Sequence, residues 1–129
     1  MKNERTFRVL VVDDDNDVAI SIVRALESLG YAAANCGHAQ EAFDVITVQD
    51  FDLLLVDYRM PDMTGLDLVT LLREEGRKIP AIIMTGHFAT EDRVPVEQLG
   101  ICAILHKPIM LPILARTMED ALLAARASA

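Results

Sequence analysis

The chain lacks any long apolar stretch. No uninterrupted apolar run exceeds five residues, far below the roughly 18 needed to cross a bilayer. Met1-Lys2-Asn3-Glu4-Arg5 leads into no apolar signal core, so no export signal is expected. Positive charge is also scarce. Twelve Lys and Arg stand against 20 Asp and Glu, for a net charge of −8. No cluster of basic residues exists to neutralise a phosphate backbone, which argues against direct nucleic-acid binding and against an anionic membrane surface. Cysteine is limited to Cys36 and Cys102, both in apolar surroundings. They read as small buried hydrophobes in a reducing compartment, in preference to a disulfide or metal pair. Internal repeats, low-complexity stretches and Pro/Gly/Ser linkers are absent. What is present is 52% hydrophobic and 25% charged residues over 129 positions. That composition and length suit one domain, 1–129, with a single core, soluble and cytoplasmic.

Short β-branched runs alternate with helical periodicity. Arg8-Val9-Leu10-Val11-Val12 is too short for a helix and suits a strand buried on both faces. It ends in Asp13-Asp14-Asp15. A helix follows with Val18, Ile22, Leu26 and Leu29 on one face, stopped by Gly30. Ala32-Ala33-Ala34-Asn35 is a weak second strand, and Ala39, Ala42, Phe43 and Ile46 form a helical stripe. Leu53-Leu54-Leu55-Val56 is a strong third strand that ends in Asp57. A Pro- and Gly-containing turn, Met60 to Gly65, leads into a helix over Leu66–Glu75. Ala81-Ile82-Ile83-Met84 is the fourth strand, ending in Thr85 and Gly86. Pro95 is cheap only at a first helical position, so the fourth helix is expected to start near Val94 or Pro95 and end at Gly100. Gly86–Arg93 would then be a long mobile loop. Ala103-Ile104-Leu105 is the fifth strand, ending in Lys107-Pro108. The last helix carries Leu114, Met118, Leu122 and Ala125. Five such units predict an α/β fold: a five-stranded parallel sheet, doubly wound (βα)5, in the flavodoxin-like order 2-1-3-4-5.

In such sheets ligands bind beyond the carboxyl ends of the strands, and the unusual polar residues lie there. Strand one ends in Asp13 and Asp14, strand three in Asp57, strand four in Thr85, strand five in Lys107. Adjacent carboxylates raise one another's pKa unless a cation intervenes. An oxygen-only ligand set with few protein donors suits Mg²⁺ shared with a phosphate. Lys107 would supply a point charge for a phosphoryl oxygen, Thr85 a hydroxyl, and Gly86 a backbone N–H left accessible by the missing Cβ. Such a site suits in-line phosphoryl transfer onto an aspartate. Singly, each feature has a plain structural meaning. An Asp after a strand is often only a helix N-cap, and Asp15 is read as one. Thr-Gly and Lys-Pro are ordinary loop and turn pairs. Their joint occurrence at one sheet edge is what carries the functional reading.

The segments Val9 to Asp15, Leu53 to Gly65, Ile82 to Gly86 and Leu105 to Pro108 resemble the receiver domain of bacterial two-component response regulators. The resemblance runs from about Phe7 to Ala125. It implies that Asp57 takes a phosphoryl group from a phosphohistidine on a sensor histidine kinase or phosphotransfer protein. It implies Mg²⁺ held directly by Asp14 and Asp57, through water by Asp13, and by the carbonyl of Arg59. Lys107 would grip the phosphoryl group, and Thr85 would swing toward it and report it to the surface formed by the fourth helix, fifth strand and fifth helix; a downstream output protein or fused output domain is the expected partner. The implied protein is a switch that catalyses its own phosphorylation and dephosphorylation, more than an enzyme. A cis bond at Lys107-Pro108 is also implied. Two departures touch the output side: Ile104 stands where Tyr or Phe is usual, and Pro95 lies in the fourth helix. His38, His87 and His106 are too scattered for a metal site, and only His87 is near enough to Thr85 to influence an attacking water. A haloacid-dehalogenase-like phosphatase would need Thr or Val where Asp17 stands, plus room for a cap domain. A flavin carrier would need a phosphate loop where three carboxylates stand. A binding module that is never phosphorylated stays open, as does the choice between a stand-alone regulator and part of a longer one.

Overall fold

The structure, a computed structural model, describes residues 6–86 and 97–128. The described residues include, in order, β1 (Arg8–Val12), α1 (Asn16–Ser28), β2 (Ala32–Cys36), α2 (Ala39–Val48), β3 (Leu53–Asp57), α3 (Gly65–Glu74), β4 (Ala81–Thr85), β5 (Ile101–His106) and α4 (Leu111–Ser128). The strands form one sheet in the order β2-β1-β3-β4-β5, and all four pairings are parallel. The predicted fold and strand order are therefore the observed ones. Residues 97 and 98 are helical and Gly100 ends that turn at φ +70°. The expected start of this helix and the expected loop after Gly86 fall on residues 87–96, outside the described residues.

Period-two alternation divides the sheet's side chains between two cores. Leu10, Val12, Leu54, Val56, Ala81 and Ile83 pack with α2 and α3. Val9, Val11, Leu53, Leu55, Ile82 and Met84 pack with α1 and α4. All twelve are at most 1% exposed, and burying one such Val, Leu or Ile contributes about 1.5–3 kcal/mol. The continuous apolar runs of β1, β3 and β4 follow from having helices on both faces.

The helix ends explain how the chain leaves each strand. Asp15 is the N-cap of α1, its Oδ1 accepting from the N–H groups of Asp17 (3.1 Å) and Val18 (3.3 Å). Gly30, at φ +99°, takes the left-handed conformation that closes α1. Thr64 and Asp67 form a capping box on α3, with both reciprocal bonds at 3.1 Å. Cys36 is buried, and burial, aided by Glu41, pushes its thiol up to about 11. Cys102 departs from the expectation, for it is exposed. The register of β4 against β5 slips between Ala81 and Ile82, whose partners are Ile101 and Ala103. Cys102 is the extra residue of this bulge on an edge strand, so its side chain leaves the core.

Candidate functional site

Four of the five parallel strands, all but β2, deliver a polar residue at the carboxyl-terminal edge of the sheet. Asp13 follows β1 directly, and its N–H donates to the carbonyl of Cys36 at 3.1 Å. Asp57 and Thr85 are the last residues of β3 and β4. Lys107 follows β5, and its N–H donates to the Thr85 carbonyl at 2.9 Å. Lys107-Pro108 is cis, as the resemblance implies. Asp13, Asp57 and Thr85 are the buried polar residues among those described, at 1%, 8% and 2% exposure. Asp14 is exposed.

The three carboxylates converge. Asp13, Asp14 and Asp57 each place an oxygen within 4.8 Å of the others. This donor set is all oxygen, held on two adjacent strand ends and open on the Asp14 side. It fits a small hard divalent cation that keeps waters in its shell. The Lys107 ammonium lies 2.8 Å from Asp13 Oδ2 and 3.2 Å from Asp57 Oδ1. The other Asp13 oxygen, Oδ1, accepts from the Asp15 N–H at 2.9 Å. Asp13 is thus held on both oxygens by the chain itself.

The electrostatics follow from that geometry. Burial pushes the Asp57 carboxyl above the usual carboxylate range, and the charge of Asp13 adds to the push. Lys107 pulls it back, while Asp14 raises it further. Burial works against the Lys107 ammonium too. The Asp13 hydrogen bond and charge, joined by Asp57, outweigh it and leave the lysine above its ordinary value. Three clustered carboxylates with one ammonium, shared by Asp13 and Asp57, make a site short of positive charge.

The other expected site residues divide. Gly86 directly follows Thr85, but a Cβ built there meets nothing within 4 Å. Arg59 is exposed, with its guanidinium 5.7 Å from the Tyr58 ring centre. His38 and His106 are exposed and belong to no metal cluster among the described residues, and His87 lies outside the described residues. Two features escaped the sequence reading. One is the reach of Lys107 past Asp57 to Asp13. The other is the contact between Gly65 and the Asp57 main chain, where a Cβ would fall 2.5 Å from the Asp57 carbonyl oxygen. A glycine at the first position of a well-capped helix, where most residues serve, was the available signal.

Known proteins share this chain's family and fold. Residues 9–119 match the response regulator receiver domain family. The chain is 36% identical over 100 residues to the DNA-binding transcriptional regulator NtrC of Proteus hauseri, covering 78% of this chain and 21% of that protein. It is 35% identical over 104 residues to the transcriptional regulatory protein PrrA of Mycobacterium tuberculosis, covering 81% and 45%. The matched segment thus spans less than half of either relative. Among solved structures, a CheY-like response regulator receiver domain protein of Methanospirillum hungatei superposes with a TM-score of 0.91 at 27% identity, over 97% of this chain and 100% of that one. A response regulator receiver protein of Pseudomonas putida gives 0.85 at 30% identity, over 92% and 99%. By its family match, its strand order and its cluster of strand-end aspartates, the chain belongs to the response regulator receiver domains of two-component systems.

Proposed function

We propose that this chain is one receiver domain, 1–129, that takes a phosphoryl group onto Asp57 from a phosphohistidine of a sensor histidine kinase or phosphotransfer protein. The observation that carries the reading is the sharing of the Lys107 ammonium between Asp13 and Asp57, 2.8 and 3.2 Å away. It holds a cation beside the one carboxylate that is both central and partly open. An Asp57 oxygen attacks phosphorus, the bond from phosphorus to the donor imidazole nitrogen breaks, and the imidazole leaves with its electron pair and takes up a proton. Bound Mg²⁺ would neutralise charge on the transferring phosphoryl oxygens. Asp13, Asp14, Asp57 and the Arg59 carbonyl are the groups to hold it. Lys107, the Thr85 hydroxyl and the Gly86 N–H would receive the phosphoryl oxygens.

The donor's approach has support in the surface beside the site. A cleft of about 470 Å³ lined by Val18, Ser21, Ile22, Lys107, Pro108 and Ile109 opens there. Met110, Leu111 and Ile113 are exposed next to it. The chain then acts as a switch on a downstream output protein or fused output domain, catalysing its own phosphorylation and dephosphorylation. Among the described residues no helix is long and apolar enough to cross a membrane. A cytoplasmic place, with no direct nucleic-acid binding by this domain, completes the reading. Acetyl phosphate with Mg²⁺ should add one phosphoryl group to the intact mass. Asp57→Ala and EDTA should each abolish the gain. Stoichiometric labelling of Asp57→Ala would show that the nucleophile lies elsewhere.

A further inference from the structure

Six glycines occur in the chain, and at five of them a Cβ would meet nothing within 4 Å. Gly65 is the exception. A Cβ there would lie 2.5 Å from the Asp57 carbonyl oxygen, 3.3 Å from the Asp57 carbonyl carbon and 3.3 Å from Val56 Cγ1. Its backbone is not in the left-handed region, since the positive-φ glycines are Gly30, Gly76 and Gly100. Glycine is therefore required at 65 for space and not for conformational freedom. The neighbour that sets this requirement is the main chain of the phosphoacceptor.

Neither side of the contact yields easily. The Gly65 N–H donates to the Tyr58 carbonyl at 2.8 Å, closing the β3–α3 loop on itself. The capping box of Thr64 and Asp67 fixes where α3 begins. Leu66, Leu68, Val69 and Leu72 anchor α3 in the core shared with Leu54 and Val56. On the other side, the Tyr58 N–H donates to the Met84 carbonyl at 2.8 Å, tying the Asp57–Tyr58 peptide to β4. An added methyl would have to open the contact by roughly 0.5–1 Å to reach an ordinary carbon–oxygen separation. The Asp57–Tyr58 peptide, at the very end of β3, is the part that moves, and the carboxylate carbon is only three bonds from the Asp57 carbonyl carbon.

We propose that Gly65 is a positioning residue: by bringing α3 against the Asp57 carbonyl without a side chain, it sets where the Asp57 carboxylate stands relative to Asp13, Asp14 and Lys107. The proposal rests on Asp57 as the phosphoacceptor and names the residue that aims it. A displacement approaching 1 Å in a reacting group can lower a rate about 100-fold.

The test compares wild type, Gly65→Ala and Gly65→Ala/Leu66→Ala in the full chain. Three readouts are taken: thermal melting, the Mg²⁺ dissociation constant by calorimetry, and the maximal rate and KM for acetyl phosphate labelling. Gly65→Ala should stay folded, lose about 10- to 100-fold in maximal rate and bind Mg²⁺ more weakly. Removing the Leu66 anchor lets α3 move instead of Asp57, so the double variant should regain rate while melting lower still. A glycine with only a structural role would give the opposite pairing, with rate and stability falling together in the double variant. A folded Gly65→Ala chain with a maximal rate within twofold of wild type overturns the proposal. If Gly65→Ala does not fold in buffer, the measurements are made in trimethylamine N-oxide, which favours the compact state. Failure to fold there also overturns it. Should wild type itself not label at Asp57, the phosphoacceptor reading fails separately. The Mg²⁺ constant then decides on Gly65, and an unchanged value refutes its positioning role.

Discussion

Replacing Lys107 by Met keeps most of the aliphatic stem and removes the ammonium that two carboxylates share. The consequence can be worked from the contacts. At an effective dielectric of about 20, separations of 2.8 and 3.2 Å correspond to attractions of roughly 6 and 5 kcal/mol. Desolvation of the three groups cancels much of that. Removing one partner of a buried pair costs about 3–5 kcal/mol, because the other charge stays buried. The Lys107 side chain is 25% exposed while that of Asp13 is fully buried, which favours the lower end, about 3 kcal/mol. For a domain of this size that is a fall of roughly 10–15 °C in melting temperature. Thermal unfolding followed by circular dichroism at pH 7 in EDTA measures it. Saturating Mg²⁺ should shrink the difference between wild type and Lys107→Met, because cationic charge returns to the cluster. A loss under about 1 kcal/mol, or one that Mg²⁺ leaves unchanged, would refute the view that this lysine is the counter-ion of the metal-free site.

Two further outcomes follow from the same charge balance. Asp14→Asn should raise the melting temperature of the Mg²⁺-free protein by relieving repulsion, and should weaken Mg²⁺ binding by about tenfold or more; a lower metal-free melting temperature would contradict the clustered-carboxylate picture. Asp57 has a folded-state pKa above its ordinary 3.8, so the folded protein binds that proton more tightly than the unfolded chain. Its contribution is therefore present at low pH and is lost as pH rises from the ordinary carboxylate value through the raised one. Asp57→Asn should flatten that part of the metal-free stability profile, and an unchanged slope would assign the titration to another group.

The sheet was legible because its strands are continuous apolar runs of four or five residues, each stopped by a polar residue. β1 was read to the residue, and β3 and β4 each run one residue further, to Asp57 and Thr85. β5 was read too short. Its true span, Ile101–His106, includes a bulge at Cys102, and an extra residue breaks the period-two pattern that marks a strand. The same irregularity turned Cys102 outward when its neighbours suggested burial. At the site, strand ends name the residues but not which way they face. After β1, Asp13 turns into the molecule and Asp14 into solvent, a choice made by the first turn after the strand. The Lys107–Asp13 bond joins residues 94 apart in sequence, across β3 and β4. Such a contact depends on side-chain length and sheet twist, which spacing does not encode.

The sharing of Lys107 also bears on what the proposed phosphorylation of Asp57 would change. Asp13 has two oxygens and the chain satisfies both, one from the Asp15 N–H and one from Lys107. A phosphoryl group on Asp57 would bring new anionic oxygens beside an ammonium already divided between two partners. If Lys107 turns to the phosphoryl group, Asp13 Oδ2 is left buried and needs another cation or a water. The proposed Mg²⁺ site, which includes Asp13, supplies that need. On the proposed function, lysine release and metal binding would be coupled through one oxygen atom. The coupling would run between the ends of β1 and β5, the strands that Asp13 and Lys107 follow. Ile104, half-buried against the core on the α2 and α3 side, has no polar atom with which to follow such a shift. Thr85, the last residue of β4, and Lys107, just after β5, would then be the groups to respond, joined by the bond from the Lys107 N–H to the Thr85 carbonyl. A movement of the lysine main chain toward Asp57 would pull on the residue that ends β4, where the chain enters the segment after Gly86.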